Sequence, residues 1–348
     1  MISPGKDSRG NQQQEQGHPR LTRALGIRRR SFVRCLAGFD CACLLLPPPN
    51  RAQAPRVRRI GLVLGDDGVG GGAAFRETLR DLGYVEGQNL YIEAREKAPA
   101  GSTADVARMD LELLVVQALT HALAARAANP AMPLVIVTSP GIISNGFAKT
   151  MEHPGGNVTG IDELPPGVTK RRLELLKTAA PTVSKVALLS TTPGRGGHET
   201  QLADAQEAAG RLGVAVKPYR ATTLEELDRA LASIVADGMN GLLNFQGGLS
   251  VVNRQRIIDF AAKHRIPAIY QAMVFSRDGG LMTWAPDLTE QHREAARYVD
   301  KILKGENPGD LPIRYPVRYF LTLNMTAARN LGLTFPPALV AQADRVLP

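Results

Sequence analysis

Apolar and polar positions alternate in two modes along most of this chain. Short, nearly unbroken apolar runs recur at 57–64, 90–93, 111–116 and 133–137, the pattern of strands covered on both faces. Between them apolar residues return at helical spacing. Phe75, Leu79 and Leu82 predict a helix over 73–82 that Gly83 ends, and an Ala-rich stretch predicts another over 120–127. The dense turn chemistry of His153-Pro154-Gly155-Gly156-Asn157-Val158-Thr159-Gly160 predicts a crossover. Beyond it the alternation restarts, with strands expected over 185–190, 214–219, 241–245 and 267–270 and helices over 169–179, 199–212, 224–236 and 251–263. A strand over 280–284 precedes a long helix over 287–303, ended by Lys304-Gly305. The pattern is α/β: two doubly wound Rossmann-like units in tandem, each a parallel sheet covered by helices. Open parallel sheets bind ligands beyond the carboxyl ends of their strands, so the default site is the cleft between the units.

Charge changes the picture only at the start of the chain. The formal net charge is +9, but residues 1–54 carry nine Lys/Arg against three acids, and the remainder is near neutral with 33 bases and 30 acids. No basic stripe lies in that remainder, which argues against a nucleic-acid partner. Residues 1–20 are polar and aperiodic, the composition of a disordered extension. Arg28-Arg29-Arg30-Ser31-Phe32, a patchy apolar stretch to Leu46 and Ala52-Gln53-Ala54 follow the layout of an export signal, Sec or twin-arginine, cleaved after Ala54. Asp40 interrupts its apolar part. Cys35, Cys41 and Cys43 are the chain's three cysteines; all lie in this leader, so the body has no disulfide, thiolate metal site or thiol nucleophile.

Little in the body points to catalysis. Gly68, Gly70 and Ala73 form a G-x-G-x-x-A pattern after a strand, and Glu93 ends the next strand, where a ribose-binding acid would stand. That leaves an NAD(P)-dependent enzyme as one alternative, although Asp66 and Asp67 put two negative charges where a pyrophosphate would approach. The histidines lack metal-ligand spacing and no G-x-S-x-G elbow occurs, so no catalytic residue, metal or cofactor is assigned. What remains is a set of small polar residues at strand ends: Asp66, Asp67, Gln117, Thr120, Thr138 and Ser139 in the first unit, and Ser190, Thr191, Thr192, Asn244, Gln246 and Gln271 in the second. Such side chains beside helix N-termini hold small polar ligands. Each could equally cap the helix that follows it.

Several segments resemble one family of bacterial ABC-transporter substrate-binding proteins. They are F-R-E-T-L-R-D-L-G-Y-V-E-G-Q-N (75–89), H-P-G-G-N-V-T-G (153–160), K-R-R-L-E-L-L-K (170–177), A-A-K-H-R-I-P-A-I-Y (261–270), G-G-L-M-T-W-A-P (279–286), Y-V-D-K-I-L-K-G (298–305) and L-G-L-T-F-P-P-A-L (331–339). The resemblance implies a type I, Venus-flytrap architecture: one lobe from 57–158 and 281–310, a second from 159–280 and 311–348, joined by crossovers near 157–162, 275–280 and 311–319. It also implies a periplasmic monomer that captures a small-molecule ligand, amino-acid-like or aromatic, and delivers it to ABC permease subunits. A ligand-sensing receptor without a transport role is a further alternative. Where many relatives carry Gly-Asp-Pro this chain has Thr138-Ser139-Pro140, and where many carry Pro-Asp-Pro it has Gln246-Gly247-Gly248. Both changes remove a carboxylate that could pair with a ligand ammonium, and Asp66 and Asp67 are the available substitutes. Trp284, where relatives often have Tyr, is expected with Tyr270 to flank an apolar or aromatic part of the ligand.

Overall fold

The computed structural model describes residues 56–65, 71–99, 101–191, 196–245 and 247–348, with backbone alone at 196 and 197. The expected leader, cleavage site and dinucleotide glycines Gly68 and Gly70 lie outside the described residues.

In the first half of the chain, apolar runs and helical spacings become β1 (Arg58–Val63), α1 (Gly71–Asp81), β2 (Leu90–Arg95), α2 (Gly101–Ala107), β3 (Leu113–Gln117), α3 (Ala118–Ala128), β4 (Leu134–Ser139) and β5 (Val158–Asp162). The strands form a parallel sheet in the order β2-β1-β3-β4-β5. Alternate side chains of one strand face different cores. Ile60, Leu62, Leu113 and Val115 join Phe75 and Leu79 of α1 on one side, while Val63, Leu114 and Val116 join Leu119 and Ala122 of α3 on the other. This two-faced burial is why the strands read as continuous apolar runs instead of alternating ones.

The second half gives α4 (Val168–Ala179), β6 (Lys185–Ser190), α5 (Gly196–Leu212), β7 (Ala215–Arg220), α6 (Leu224–Ala236), β8 (Gly241–Asn244), α7 (Gly248–Val252), α8 (Arg254–Lys263), β9 (Ala268–Tyr270), α9 (Met273–Arg277), β10 (Met282–Pro286) and α10 (Leu288–Leu303). It ends with β11 (Tyr319–Asn324), α11 (Met325–Leu331), α12 (Pro337–Gln342) and β12 (Arg345–Leu347). The second sheet runs β12-β11-β10-β9-β8-β6-β7 and also has a core on each face. Its pairs are parallel except β10–β11, which is antiparallel. The fold is thus two doubly wound Rossmann-like lobes, the type I periplasmic-binding-protein architecture. No helix among the described residues is long and apolar enough to cross a membrane.

Strand pairing moves two of the expected lobe boundaries. The turn-rich segment expected to leave the first lobe at 158 is β5, a strand of the first sheet, so the chain leaves that sheet after Asp162. Its one glycine, and the two just before it, hid it. Gly160 has φ +147, and a Cβ there would stand 2.0 Å from the Ile136 carbonyl oxygen, so glycine is required for β4 and β5 to approach. The strand expected to open the returning segment at 281 is β10, held by β9 and β11 in the second sheet. The crossing therefore falls between Pro286 and Leu288, where Asp287 caps α10 by accepting from the Thr289 and Glu290 amides at 3.0 and 3.3 Å. Ala295, Ala296, Val299 and Leu303 of α10 then pack in the first lobe's core. Finally, the helix expected over 251–263 is broken at Asn253 into α7 and α8.

Candidate functional site

A cavity of about 360 Å³ lies where strand ends of both lobes meet. From the first lobe it is lined by Gly65 after β1, Ala98 and Pro99 after β2, the start of α3 from Gln117 to His121, and Thr138 and Pro140 at the end of β4. From the second lobe come Gly247 and Gly248, then Leu249, Val251, Val252 and Asn253 along α7, with Ala272 and Val274 after β9; Leu288 starts α10. The wall is mostly apolar; its polar side chains are Gln117, Thr120, His121 and Thr138 from the first lobe and Asn253 from the second.

The first-lobe side is held in an unusual backbone conformation. Helix α3 follows β3 with no intervening loop, and Ala118 makes the turn at φ +67. Its N-cap, Gln117, makes no side-chain capping hydrogen bond, so the first amides of an eleven-residue helix meet the cavity with the positive end of the helix dipole. Thr138 has φ +53 where the β4–β5 register slips between Ile136 and Ser139, and its buried Oγ1 has no hydrogen-bond partner. Left-handed non-glycine residues cost about 1–3 kcal/mol each and persist where surrounding structure enforces them. Asp162 supplies the enforcement at Thr138. Its buried carboxylate accepts from the Gly141, Ile142 and Leu164 amides at 3.0, 2.7 and 2.9 Å, pinning the loop that carries Thr138 and Pro140. Burial raises the Asp162 pKa, and the three amides oppose that shift.

His121 is the titratable side chain among the described lining residues. Burial lowers its pKa to about 4, so its imidazole is neutral near pH 7. Nδ1 is 2.7 Å from Thr103 Oγ1 of α2.

The expected binding residues divide into three groups. Gln117, Thr120 and Thr138 come together on the cavity wall. Asp66, Asp67, Thr192 and Gln246 lie outside the described residues, the two aspartates directly after Gly65. The others are not among the lining residues. Ser139 is buried beside Thr138, and its carbonyl accepts from the Glu163 amide at 3.1 Å. Thr191 Oγ1 accepts from the Ser250 amide at 3.2 Å and tethers α7. Gln271 donates to Gln201 at 2.6 Å. Tyr270 stacks on Phe275 and Trp284 on Tyr319, each pair with 4.5 Å between ring centroids; neither Tyr270 nor Trp284 is among the cavity-lining residues. Sequence reasoning missed His121, Ala118 and the apolar face of α7. The neighbouring Gln117 and Thr120 pointed to the first two, but a backbone turn and a facing lobe leave no local pattern.

A buried polar cluster lies beside the crossing after β5. Arg172 of α4 donates from Nε to the Trp284 carbonyl at 3.0 Å, while Gln291 of α10 reaches Glu163 at 3.5 Å. Burial pushes the Glu163 pKa up to about 7, and Arg172 and Gln291 oppose that shift. Burial pulls Arg172 down to about 10. Among the described residues no group of three or more His, Cys, Asp or Glu could hold a metal ion.

Comparison with known proteins identifies relatives. The profile of a family described as ABC transporter substrate binding protein matches residues 67–347. A tyrosine-binding protein of Clostridioides difficile (strain R20291) is 24% identical over 247 residues, covering 69% of this chain and 70% of that protein. A conserved domain protein from Vibrio cholerae superposes with a TM-score of 0.75 at 23% identity, over 84% of this chain and 100% of that one. An ABC domain from Streptococcus pneumoniae in complex with L-Trp gives a TM-score of 0.76 at 19% identity, again over 84% and 100%.

Proposed function

Since this chain belongs to the ABC transporter substrate-binding protein family, we propose that its inter-lobe cavity captures one small organic molecule outside the cytoplasm for delivery to ABC permease subunits. The observation that carries this reading is the cavity itself. About 360 Å³ shared by two lobes is at the small end of ligand sites and suits an amino-acid-sized molecule. The uncapped α3 terminus and the Thr138 hydroxyl would take a polar, electron-rich end, while Leu249, Val251, Val252 and Val274 would take an apolar body. Relatives that bind tyrosine or tryptophan support an aromatic amino acid or a related aromatic acid. A ligand ammonium would need a carboxylate, and Asp66 and Asp67 are the proposed partners, being the residues that follow Gly65 on the wall.

In this reading the protein works as a monomer and makes or breaks no bond. Ligand touches both lobes only when they are closed, so binding shifts the population toward the closed form that a permease can recognise. The enzymatic alternative gains no support from its acidic residue: Glu93 accepts from the Tyr91 hydroxyl at 2.5 Å and pairs with Arg95 on edge strand β2. Gly71, beside the glycine pattern, packs under the His292 ring of α10, which a Cβ would approach to 2.3 Å.

A thermal-unfolding screen with L-tyrosine, L-tryptophan, L-leucine, aromatic acids, sugars and NAD tests the proposal. A ligand at a hundredfold excess over its Kd adds about 2.7 kcal/mol of stability, a readable rise in Tm. We expect the rise with aromatic amino acids or acids. A rise with NAD alone would replace transport with dinucleotide chemistry.

A further inference from the structure

We propose that His121 is a ligand-recognition residue, its Nε2–H donating a hydrogen bond to a carboxylate or carbonyl oxygen of the cargo. This deepens the binding reading of the cavity and rests on it.

The assignment starts from the ring's two nitrogens. Nδ1 is taken by Thr103 at 2.7 Å. Nε2 lies on the cavity side: a Cβ built on Gly65 would stand 3.8 Å from it, and Gly65 and His121 both line the cavity. The proton arrangement follows from Thr103. Its hydroxyl is fully buried, and its hydrogen bond in the structure is to His121. A buried hydroxyl proton without an acceptor is costly, so Thr103 donates and Nδ1 accepts. A neutral imidazole that accepts at Nδ1 carries its proton on Nε2. Burial keeps the ring neutral near pH 7, so the cavity meets a fixed donor instead of a cation.

Its neighbours favour the same kind of ligand atom. The uncapped start of α3 supplies amide donors three residues upstream, and Ala118 and Thr138 hold left-handed conformations on the same wall. Donors sharing one wall of a mostly apolar cavity favour an electron-rich oxygen over a molecule that carries only an amine there.

The test uses the full chain and two probe sets: L-tyrosine, 4-hydroxyphenylacetate and tyramine, and L-tryptophan, indole-3-acetate and tryptamine. Histidine-ring ¹⁵N spectra of the free protein should show His121 protonated at Nε2; protonation at Nδ1 overturns the inference. On titration the acid-bearing probes should shift the His121 Nε2 resonance. His121→Phe should weaken them about tenfold or more, the scale of a hydrogen bond to a charged group, with little change for any amine probe that binds. His121→Gln, which keeps a donor, should recover most of the loss. Probes that perturb other cavity residues but leave His121 unmoved overturn the inference and leave the binding reading intact. If His121→Phe fails to fold, the resonance arm decides alone. No response at any cavity residue to any probe overturns both.

Discussion

Asp162 illustrates how much one buried side chain sets at this site. Three amides converge on its carboxylate, and two of them, from Gly141 and Ile142, belong to the loop that carries Thr138 and Pro140 to the cavity. Removing the acceptor leaves buried N–H groups, each costing about 1–3 kcal/mol. Asp162→Ala should therefore lose at least about 3 kcal/mol of unfolding free energy, read from urea midpoints, and Asp162→Asn, which keeps one acceptor oxygen, should lose less. A loss below about 1 kcal/mol for Asp162→Ala would mean that the loop does not depend on this carboxylate.

At the scale of elements, the decisive contacts are those where backbones meet. β4 and β5 come together only because Gly160 has no side chain, with the Ile136 carbonyl where a Cβ would be. Gly83, also at positive φ (+92), ends α1 with no heavy atom within 4 Å of the corresponding point. Gly83→Ala should cost about 1–2 kcal/mol, the conformational term alone, whereas Gly160→Ala adds a backbone clash and should cost several times more. Equal thermal destabilisation of the two variants would refute the close-approach argument. The same logic explains which elements were hard to read. β5 reads as a turn because Gly155 and Gly156 precede it and Gly160 stands where β4 is too close for anything larger, and α7 and α8 share one helical periodicity although Asn253 breaks them apart.

At the scale of the whole molecule, two buried titratable groups oppose each other. Glu163, beside the crossing after β5, has its pKa raised from 4.5 to about 7; Arg172, Asp162, Gln291 and Tyr319 face it. A raised acid contributes stability below its unfolded pKa and loses it as pH climbs through about 7. His121, in the first lobe, is depressed from 6.5 to about 4, so its contribution is complete above pH 6.5 and is lost as pH falls toward 4. Each amounts to about 3 kcal/mol by linkage, with opposite signs between pH 4.5 and 6.5. The intact protein should show little net slope from these two groups. Glu163→Gln removes the acid's share and should make stability rise with pH over that window, measured by urea midpoints at several pH values. A variant curve parallel to that of the parent chain would show that Glu163 does not titrate as described.

The sequence by itself determined the class of fold and singled out part of one cavity wall. Runs such as 111–116 and 133–137 are apolar because both sheet faces are covered, and that physical fact is written in consecutive residues. Gln117, Thr120 and Thr138 could be singled out because parallel strands end in small polar residues wherever helices begin. Tertiary structure decided the rest: which sheet claims β5 and β10, that Tyr270 and Trp284 stack on Phe275 and Tyr319, and that His121 stands on the cavity wall. Each depends on what lies across a gap, a facing backbone at Gly160 or a hydroxyl at Thr103, and partners distant in sequence leave no periodic trace along the chain.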